Sequence, residues 1–575
     1  MTSAAPARPH RTAELRHRAG WGWSLAAILI AALVLAPVAT VVWIAFNPTD
    51  NIWPHLLSTT LPRYAGNTVI LALGTGALAA AMGAGAAWLV AMYRFPGRGA
   101  LEWLLLLPLA VPAYIGAYAL ADFLDYSGPV QTGLRETFGW ASARDYWFPD
   151  IRSRWAAVLV LSASLYPYVY LLTRVALREQ SASAYEVARA LGTGPWRLFR
   201  RVGLPLVRPA IVAGAAIAMM ESVADYGVVS YFGVQTLNTG IFTTWLERQN
   251  AGGAAQIASL ILLVVAVLAL WERAARRGAR YHQSARQPRP IILQPLPRRW
   301  GWMATLACAL PVAIGFVLPV AVIGHYALAY PQGWLTPGLG LALWHTLSLG
   351  GIAAILVVVL ALIMVYGTRL SGRRLPRMLL PVTIIGYAAP GAVLAVGILI
   401  PLAALDHRIA DGWLAATGTD PGLILTGTGF AIILAYVVRF FAIGQGAVDG
   451  AFTRVPPSLP MAARSLGRGA GGVLRDVYLP LMRGSVGSAV LLVFVDCSKE
   501  LPATLLLRPF NFETLATRAH EKASLEDLGN AAPAALLVMA MGLVAVGLLA
   551  QANLGLRRSR PRGIAAGIAP SRGAS

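Results

Sequence analysis

The chain has 575 residues, of which 57% are hydrophobic and only 13% are charged, and its mean hydropathy is +0.62. Soluble domains are about one quarter charged, so this composition excludes an ordinary soluble protein. The formal net charge of +22 would indicate a nucleic-acid partner only if the protein were soluble. Both cysteines, Cys308 and Cys497, lie in apolar segments, which implies neither a disulfide framework nor a thiolate metal site.

Apolar runs of about 20 residues, long enough to cross the hydrocarbon core of a bilayer, recur along the whole chain. They predict an all-α polytopic membrane protein with about 12 transmembrane helices. In chain order, the predicted spans lie near residues 21–46, 68–92, 101–121, 155–173, 209–229, 254–271, 301–324, 346–367, 378–404, 425–438, 484–505 and 532–552.

The distribution of basic residues predicts the orientation of these spans. If the N-terminus lies in the cytoplasm, most Lys and Arg residues fall in cytoplasmic segments, whereas most acidic residues fall on the opposite side. This asymmetry is the positive-inside rule. We therefore expect both termini to be cytoplasmic, and we attribute the surplus positive charge to topology and not to nucleic-acid binding.

The twelve spans divide into two sets of six. The predicted domains are an N-terminal tail (1–20), a first half (21–271), a basic linker (272–300), a second half (301–552) and a basic C-terminal tail (553–575). Six spans return the chain to the same side, so the two halves form a parallel repeat. Weaker echoes support the repeat: Asn67-Thr68 and His345-Thr346 open the second span of each half, and Pro112 and Pro390 interrupt the third.

One polar segment occurs twice, between the fourth and fifth spans of each half. The copies read Glu186-Val-Ala188…Gly192…Val202-Gly-Leu204-Pro205 and Met461-Ala-Ala463…Gly467…Val477-Tyr-Leu479-Pro480, at a constant offset of 275 residues. A long internal repeat indicates one architectural unit used twice. Because apolar helices can diverge and still dissolve in lipid, a polar loop kept in register indicates two surfaces shaped for similar contacts.

The first copy predicts two short helices. One runs from Tyr185 to Leu191 and ends at Gly192, the other covers residues 196–202, and Leu204-Pro205 then turns the chain into the next span. Tyr185, Ala188 and Leu191 recur at helical spacing, and such an apolar face could insert into a groove on a partner. The structural alternative is a basic loop that rests on lipid head groups.

The fifth span of each half carries two acidic residues in the same register: Glu221 and Asp225, then Asp496 and Glu500. Spacing of i, i+4 places each pair on one helix face, and at 1.5 Å per residue both members of the first pair lie about 18–24 Å from Pro209, beyond mid-membrane. Charges at such depth normally face a cavity or a partner, and their oxygens suit hard cations. The alternative is that these carboxylates are protonated, or that they pair with a residue such as Lys499, for which the first half has Ala224.

The repeated loop resembles the Glu-Ala-Ala loop of permeases in ATP-binding-cassette importers, which have the type I importer permease fold. The resemblance implies that each copy forms a coupling helix that docks on an ATPase subunit. Val187 replaces the usual first Ala and Met461 replaces the usual Glu, so the two halves are expected to couple unequally. The implied ATPase-coupling residues are Glu186, Ala188, Gly192, Leu204, Pro205, Met461, Ala463, Gly467, Leu479 and Pro480.

The chain contains no P-loop, because its only lysines, Lys499 and Lys522, are not in a Gly-Lys-Ser/Thr sequence. We therefore expect a transport subunit and not an enzyme, with no cofactor of its own and with ATP and Mg²⁺ on the partner. The resemblance implies two copies of an ATPase subunit, a periplasmic or extracellular substrate-binding protein and the lipid bilayer as partners, and no nucleic acid. The implied location is the bacterial cytoplasmic (inner) membrane.

Two further segments resemble fused permeases for ferric iron. They are Asp496-Cys-Ser-Lys-Glu-Leu-Pro…Arg508-Pro-Phe510…Thr514…Thr517-Arg518 and Asp225-Tyr-Gly…Tyr231-Phe-Gly-Val-Gln235…Thr239. The resemblance implies a path for Fe(III) from an external binding protein, with Glu221, Asp225, Asp496 and Glu500 as transient ligands and no permanent metal site. At an offset of 275, Thr239 aligns with Thr514 and Thr243 with Arg518, on external segments where the binding protein could dock.

Two other functions stay open. A fused permease for thiamine or another small organic cation would have an aromatic-lined path in place of a carboxylate-lined one. A secondary transporter driven by an ion gradient would use the same carboxylates but need no ATPase, which would leave the repeated loop without a role.

Overall fold

The computed structural model describes residues 10–48, 51–180, 182–277, 292–371, 374–383, 386 and 389–558. Parts of the predicted tails and linker (1–9, 278–291 and 559–575) lie outside the described residues, and the predicted domain boundaries stay predictions. Within the described part, eleven helices are long and apolar enough to cross a membrane, and one bent helix pair brings the number to twelve. The predicted all-α polytopic fold is thus confirmed.

The bent pair is counted here as the third span. In chain order, spans one to twelve are Trp21–Phe46, Leu61–Met92, Arg98–Ala110 with Ala113–Phe138, Arg154–Glu179, Pro195–Ala224, Ala251–Ala275, Arg298–Ala329, Leu339–Ser371, Gly391–Thr417, Phe430–Thr453, Ala470–Ser498 and Leu528–Leu548. The helices of spans one, six and twelve extend further, over His10–Phe46, Ala251–Arg277 and Leu528–Arg558.

Shorter helices, none of them long enough to cross a bilayer, connect the spans. They cover Trp53–Ser58, Ala182–Ala190, Gly227–Tyr231, Leu237–Phe242, Pro331–Leu335, Arg374–Val382, Ser458–Ser465, Pro502–Leu507 and Leu515–Ser524. A two-stranded parallel sheet pairs Tyr93–Arg94 with Gln294–Pro295. It joins the end of span two to the segment that precedes span seven.

Proline breaks the third span of each half, as the sequence predicts. The first-half helix bends by 97° between residues 110 and 113, where Pro112 has an extended ψ of 138° and starts a new helix. Pro390, with a ψ of 150°, occupies the same place before Gly391–Thr417. A proline ring clashes with the preceding turn of a helix. The predicted span over 101–121 is therefore two helices that meet at Pro112, and the helix of the span predicted over 378–404 begins directly after Pro390.

The first span of each half packs against the other half. Span one packs against spans eight and nine of the second half, and the rings of Trp23 and Tyr366 meet edge-on at 5.1 Å between centroids. Span seven in turn packs on the first half, where Ala304, Cys308 and Val312 share a core cluster with residues of span two. The halves are therefore interlocked, and a path between them has walls from both.

The threonines that open the second spans have the same role in both halves. Thr68 Oγ1 accepts a hydrogen bond of 3.0 Å from the backbone N–H of Leu237. Thr346 Oγ1 accepts one of 2.8 Å from the N–H of Leu515. Each bond ties the second span to the short helix that follows the fifth span, so the predicted echo between Asn67-Thr68 and His345-Thr346 is confirmed as a structural repeat.

This repeat has an offset of 278 residues and not 275. Thr236 forms a capping box with Thr239, and Thr514 forms the same box with Thr517. The predicted pairing of Thr239 with Thr514, and hence of Thr243 with Arg518, is therefore wrong, because the second half has three more residues between its carboxylates and this cap. Arg518 is moreover buried and donates to Glu513 and to the carbonyl of Pro337.

Candidate functional site

The two repeated loops have the same backbone. In the first, helix Ala182–Ala190 ends at Gly192, whose φ is 75° and whose N–H donates to Arg189 O at 2.9 Å. In the second, helix Ser458–Ser465 ends before Gly467, whose φ is 82° and whose N–H donates to Arg464 O at 3.0 Å. A left-handed residue after a helix is normally glycine. The glycine that the sequence repeats is thus a helix stop that both loops require.

The two loop helices expose equivalent residues. Leu191 and Leu466 are 79% and 84% exposed, next to the capping glycines, and Met461 is 64% exposed at the position of the exposed Glu186. Ala188 and Ala463 are both half-buried at the base of their helices. Each loop therefore presents one large apolar side chain at its tip and one further exposed side chain five residues earlier.

The predicted apolar face of the first loop helix is only partly correct. Tyr185 is buried, lies 6.0 Å from the ring of Trp88 between centroids and bonds to Gln180, whereas Leu191 points outward. The face with Tyr185 and Ala188 packs on the core beneath the loop because an aromatic ring gains more from burial there than from exposure. The surface open to a partner carries Glu186, Val187 and Leu191.

Leu204-Pro205 and Leu479-Pro480 do not turn the chain into a new span, contrary to the prediction. Both pairs lie inside continuous helices, spans five and eleven, directly after a five-residue π-helical stretch. The second short helix predicted over 196–202 is the start of span five. A π-helical turn is wider than an α-helical turn, which accommodates a proline ring without breaking the helix.

All four predicted carboxylates line one cavity of about 140 Å³. Spans from both halves contribute to it, so the shared register of the two pairs does bring them together. The same cavity is lined by two basic residues, Arg439 and Lys499, and by the aromatic residues Tyr114, Tyr168, Tyr226 and Phe440. The arrangement is a small polar chamber between the halves, with four acidic and two basic side chains in its wall.

The members of each acidic pair do not share a helix face, because spans five and eleven end between them. Span five ends at Ala224, and the carboxylate of Asp225 accepts hydrogen bonds from the N–H groups of Val228 and Val229 at 2.9 and 3.3 Å. Span eleven ends at Ser498, and Glu500 accepts one from Ala503 N–H at 3.0 Å. Both residues thus cap the next short helix. The i, i+4 interpretation fails because periodicity alone does not show where a helix stops.

The two carboxylates of the second half are held by ion pairs. Lys499 Nζ lies 2.7 Å from Asp496 Oδ1, which confirms the structural alternative for this pair. Arg439 Nε lies 3.2 Å from Glu500 Oε2, and both side chains are almost fully buried. Arg439 is not among the residues predicted from the sequence, although a single arginine inside the apolar run of span ten indicates a buried partner.

The neighbouring tyrosines divide into two groups. Tyr114 and Tyr168 line the cavity, whereas Tyr166 and Tyr170 are buried in the core of the first half. The Tyr114 hydroxyl is buried and has no hydrogen-bond partner among the described residues. In the same part of the chain, no three His, Cys, Asp or Glu residues are grouped closely enough to hold a metal ion. The chamber is therefore not a preformed metal site in this conformation.

Comparison with known proteins identifies the architecture. The profile of the family described as binding-protein-dependent transport system inner membrane component matches residues 79–281. That stretch includes the first loop and the first pair of carboxylates. The chain is an ABC importer permease. Its relatives in this family are transport subunits and not enzymes.

Relatives of this permease differ in how much of it they match. The Fe(3+)-transport system permease protein FbpB 2 of Haemophilus influenzae is 25% identical over 516 residues, 85% of this chain and 90% of its own. The molybdenum transport system permease protein ModB of Escherichia coli is 27% identical over 190 residues, 32% of this chain and 79% of its own. The sulfate transport system permease protein CysT of E. coli is 29% identical over 204 residues, which are 33% of this chain and 69% of its own. The permease thus shares its two-half length with the first of these.

Proposed function

We propose that this permease forms the membrane path for ferric iron, which an external binding protein delivers, and that separate ATPase subunits drive it through the two repeated loops. The observation that carries the proposal is the chamber in which Glu221, Asp225, Asp496 and Glu500 converge from the two halves. Carboxylate oxygens are the ligands that hard cations prefer. The path must bind such an ion weakly enough to release it.

The matched loops support the coupling role. Each ends in the same left-handed glycine and presents a leucine that is about four-fifths exposed, which fits an apolar groove on a partner. The chain has no P-loop, so ATP hydrolysis belongs to the partner. The proposal gives each loop its own ATPase subunit, and the distribution of basic residues supports a cytoplasmic position for both loops by the positive-inside rule.

The choice of ferric iron over an oxyanion depends on two observations. The ferric relative matches both halves, whereas the molybdenum and sulfate relatives match about one third of the chain. The two basic side chains that an oxyanion would need, Arg439 and Lys499, are already bound to carboxylates. A cation can use the chamber without first removing carboxylates from its wall.

A small organic cation such as thiamine is the second candidate. The aromatic side chains of Tyr114, Tyr168, Tyr226 and Phe440 line the same chamber, and aromatic rings attract organic cations. Uptake of labelled iron against labelled thiamine, in membranes that contain the whole transporter, separates the two.

Replacing Glu221 and Asp225 by Gln and Asn should lower iron uptake by about tenfold or more, since the charge of the ligands sets cation affinity. Both substitutions keep the shape of the side chains, and Asn still caps a helix as Asp225 does. The measurement is the initial rate of ⁵⁵Fe uptake into vesicles with the binding protein and the ATPase. Glu136→Gln with Asp411→Asn, which changes two exposed carboxylates away from the chamber, is the matched control. A normal rate in the first variant, with the ATPase bound, would return both carboxylates to a structural role.

Met461→Glu should leave uptake within about twofold of the unmodified permease, because a single exposed charge has little effect. Met461 is 64% exposed and occupies the position of Glu186 in the other loop, so the substitution makes the two loops more alike. The measurement is uptake together with ATPase binding to the solubilised permease. A variant that no longer transports would show that the second docking site on the ATPase is apolar.

A further inference from the structure

The carboxylates of the two halves differ in the basic residues placed beside them. In the second half, Lys499 is bound to Asp496 at 2.7 Å, and Arg439 to Glu500 at 3.2 Å. At the position that corresponds to Lys499, the first half has Ala224. Both basic residues of the chamber thus come from the second half, and each is placed on a carboxylate where a cation cargo would bind.

The two ion pairs are not equally fixed. Glu500 is 5% exposed, accepts a further bond from Ala503 N–H, and lies with Arg439 against Gly391, where an added Cβ would come within 2.6 Å of Arg439 Nη1. The side chains of Asp496 and Lys499 are 20% and 29% exposed, and the pair links residues three positions apart at the end of span eleven.

We propose that Lys499 is a tethered counter-ion for the path, which rests on the proposed cation cargo. Its ammonium group occupies Asp496 while the chamber is empty, a passing cation displaces it, and its return to Asp496 releases the ion. Arg439 stays in place, because moving away from Glu500 would leave a buried charge without its ion-pair partner. A path that must bind and then release a highly charged ion thereby carries its own competitor.

The chemistry of the competition is simple exchange. Asp496 offers oxygen ligands that a hard cation or an ammonium group can occupy, but not both at once. The nearby Tyr114 hydroxyl, buried and without a hydrogen-bond partner among the described residues, adds an oxygen in the wall of the chamber.

The test is a titration of the purified full-length permease with Tb³⁺, a luminescent trivalent cation that prefers oxygen ligands. Lys499→Met removes the competitor and should tighten Tb³⁺ binding by about tenfold or more, while ⁵⁵Fe uptake by the whole transporter falls because the ion is released more slowly. Lys522→Met makes the same change at the only other lysine of the chain, outside the chamber, and should bind Tb³⁺ as the unmodified permease does.

Asp496→Asn combined with Lys499→Met guards against a folding artefact. It removes carboxylate and competitor together, and Tb³⁺ affinity should return to the level of the unmodified permease. Unchanged Tb³⁺ affinity in folded Lys499→Met, or equally tight binding in Lys499→Met and the double variant, would overturn the tethered counter-ion. The titration needs no partner proteins, so a permease that takes up no iron would refute the proposed cargo without deciding the role of Lys499.

Discussion

A permease with Gly192→Glu and Gly467→Glu should enter the membrane normally and lose iron uptake, although the ATPase continues to hydrolyse ATP. Both glycines have positive φ and end a loop helix. A side chain in the left-handed region costs about 1–2 kcal/mol per residue, so each loop would rearrange its tip. Nothing lies within 4 Å of a Cβ at either glycine, so the damage is to the backbone and to the docking surface and not to the core.

Two loops that each lose this much should reduce coupled transport by about tenfold or more, since 1.4 kcal/mol corresponds to one factor of ten. The measurement compares ⁵⁵Fe uptake and ATP hydrolysis in the same vesicles. Gly192→Asn with Gly467→Asn is the matched control, because Asn tolerates the left-handed conformation and should keep most of the uptake. Unchanged uptake by the permease with both Glu substitutions would show that the loops do not take part in coupling.

Coupling of this kind has an energetic requirement. To reverse a conformational preference from 1:99 to 99:1, the proposed ATPase subunits would have to favour one state by about 5.5 kcal/mol. The loop helices expose a small apolar surface for this: Val187 and Leu191 on the first loop, and Met461 and Leu466 on the second. A rigid loop transmits more of that energy because less is lost in deforming the loop itself. This is a physical reason why both loop helices end at a glycine.

Much of this architecture follows from the sequence because lipid imposes strict demands. Spans must be apolar and about 20 residues long, so their number and order could be predicted, and the repeat placed both loops and both acidic pairs. The left-handed glycines were predictable too, as helix stops. The convergence of Glu221 and Asp496 in one chamber follows from the shared register of two halves that face each other.

The rest depends on contacts between residues far apart in the chain. Arg439 and Glu500 belong to different spans, and no local pattern pairs them. Spans five and eleven end at Ala224 and Ser498, where Asp225 and Glu500 accept hydrogen bonds from the next short helix. The i, i+4 spacing of the acidic residues does not show these ends. Tyr185 turns inward because Trp88 lies beneath it, which is a tertiary contact of the same kind.

Arg439→Met should destabilise the permease strongly, since removing one partner of a buried ion pair costs about 3–5 kcal/mol. Glu500 is 5% exposed and interacts with Arg439 and with the N–H group of Ala503. In the variant, its carboxylate would keep the hydrogen bond from Ala503 but lose the ion pair. Methionine fills a similar volume, so the cost is the unpaired charge and not a cavity. The measurement is thermal unfolding of the purified permease in detergent, where the variant should unfold at a clearly lower temperature.

The matched double variant decides whether the pair is structural. Arg439→Met with Glu500→Gln removes both charges, and Gln can still accept from Ala503 N–H, so most of the lost stability should return. This rescue would assign Arg439 to holding span ten against the cap at Glu500, in contrast to Lys499, whose loss should change cation binding with little effect on unfolding. If Arg439→Met unfolds like the unmodified permease, the buried pair contributes no net stability, and Arg439 becomes a second candidate for exchange with the cargo.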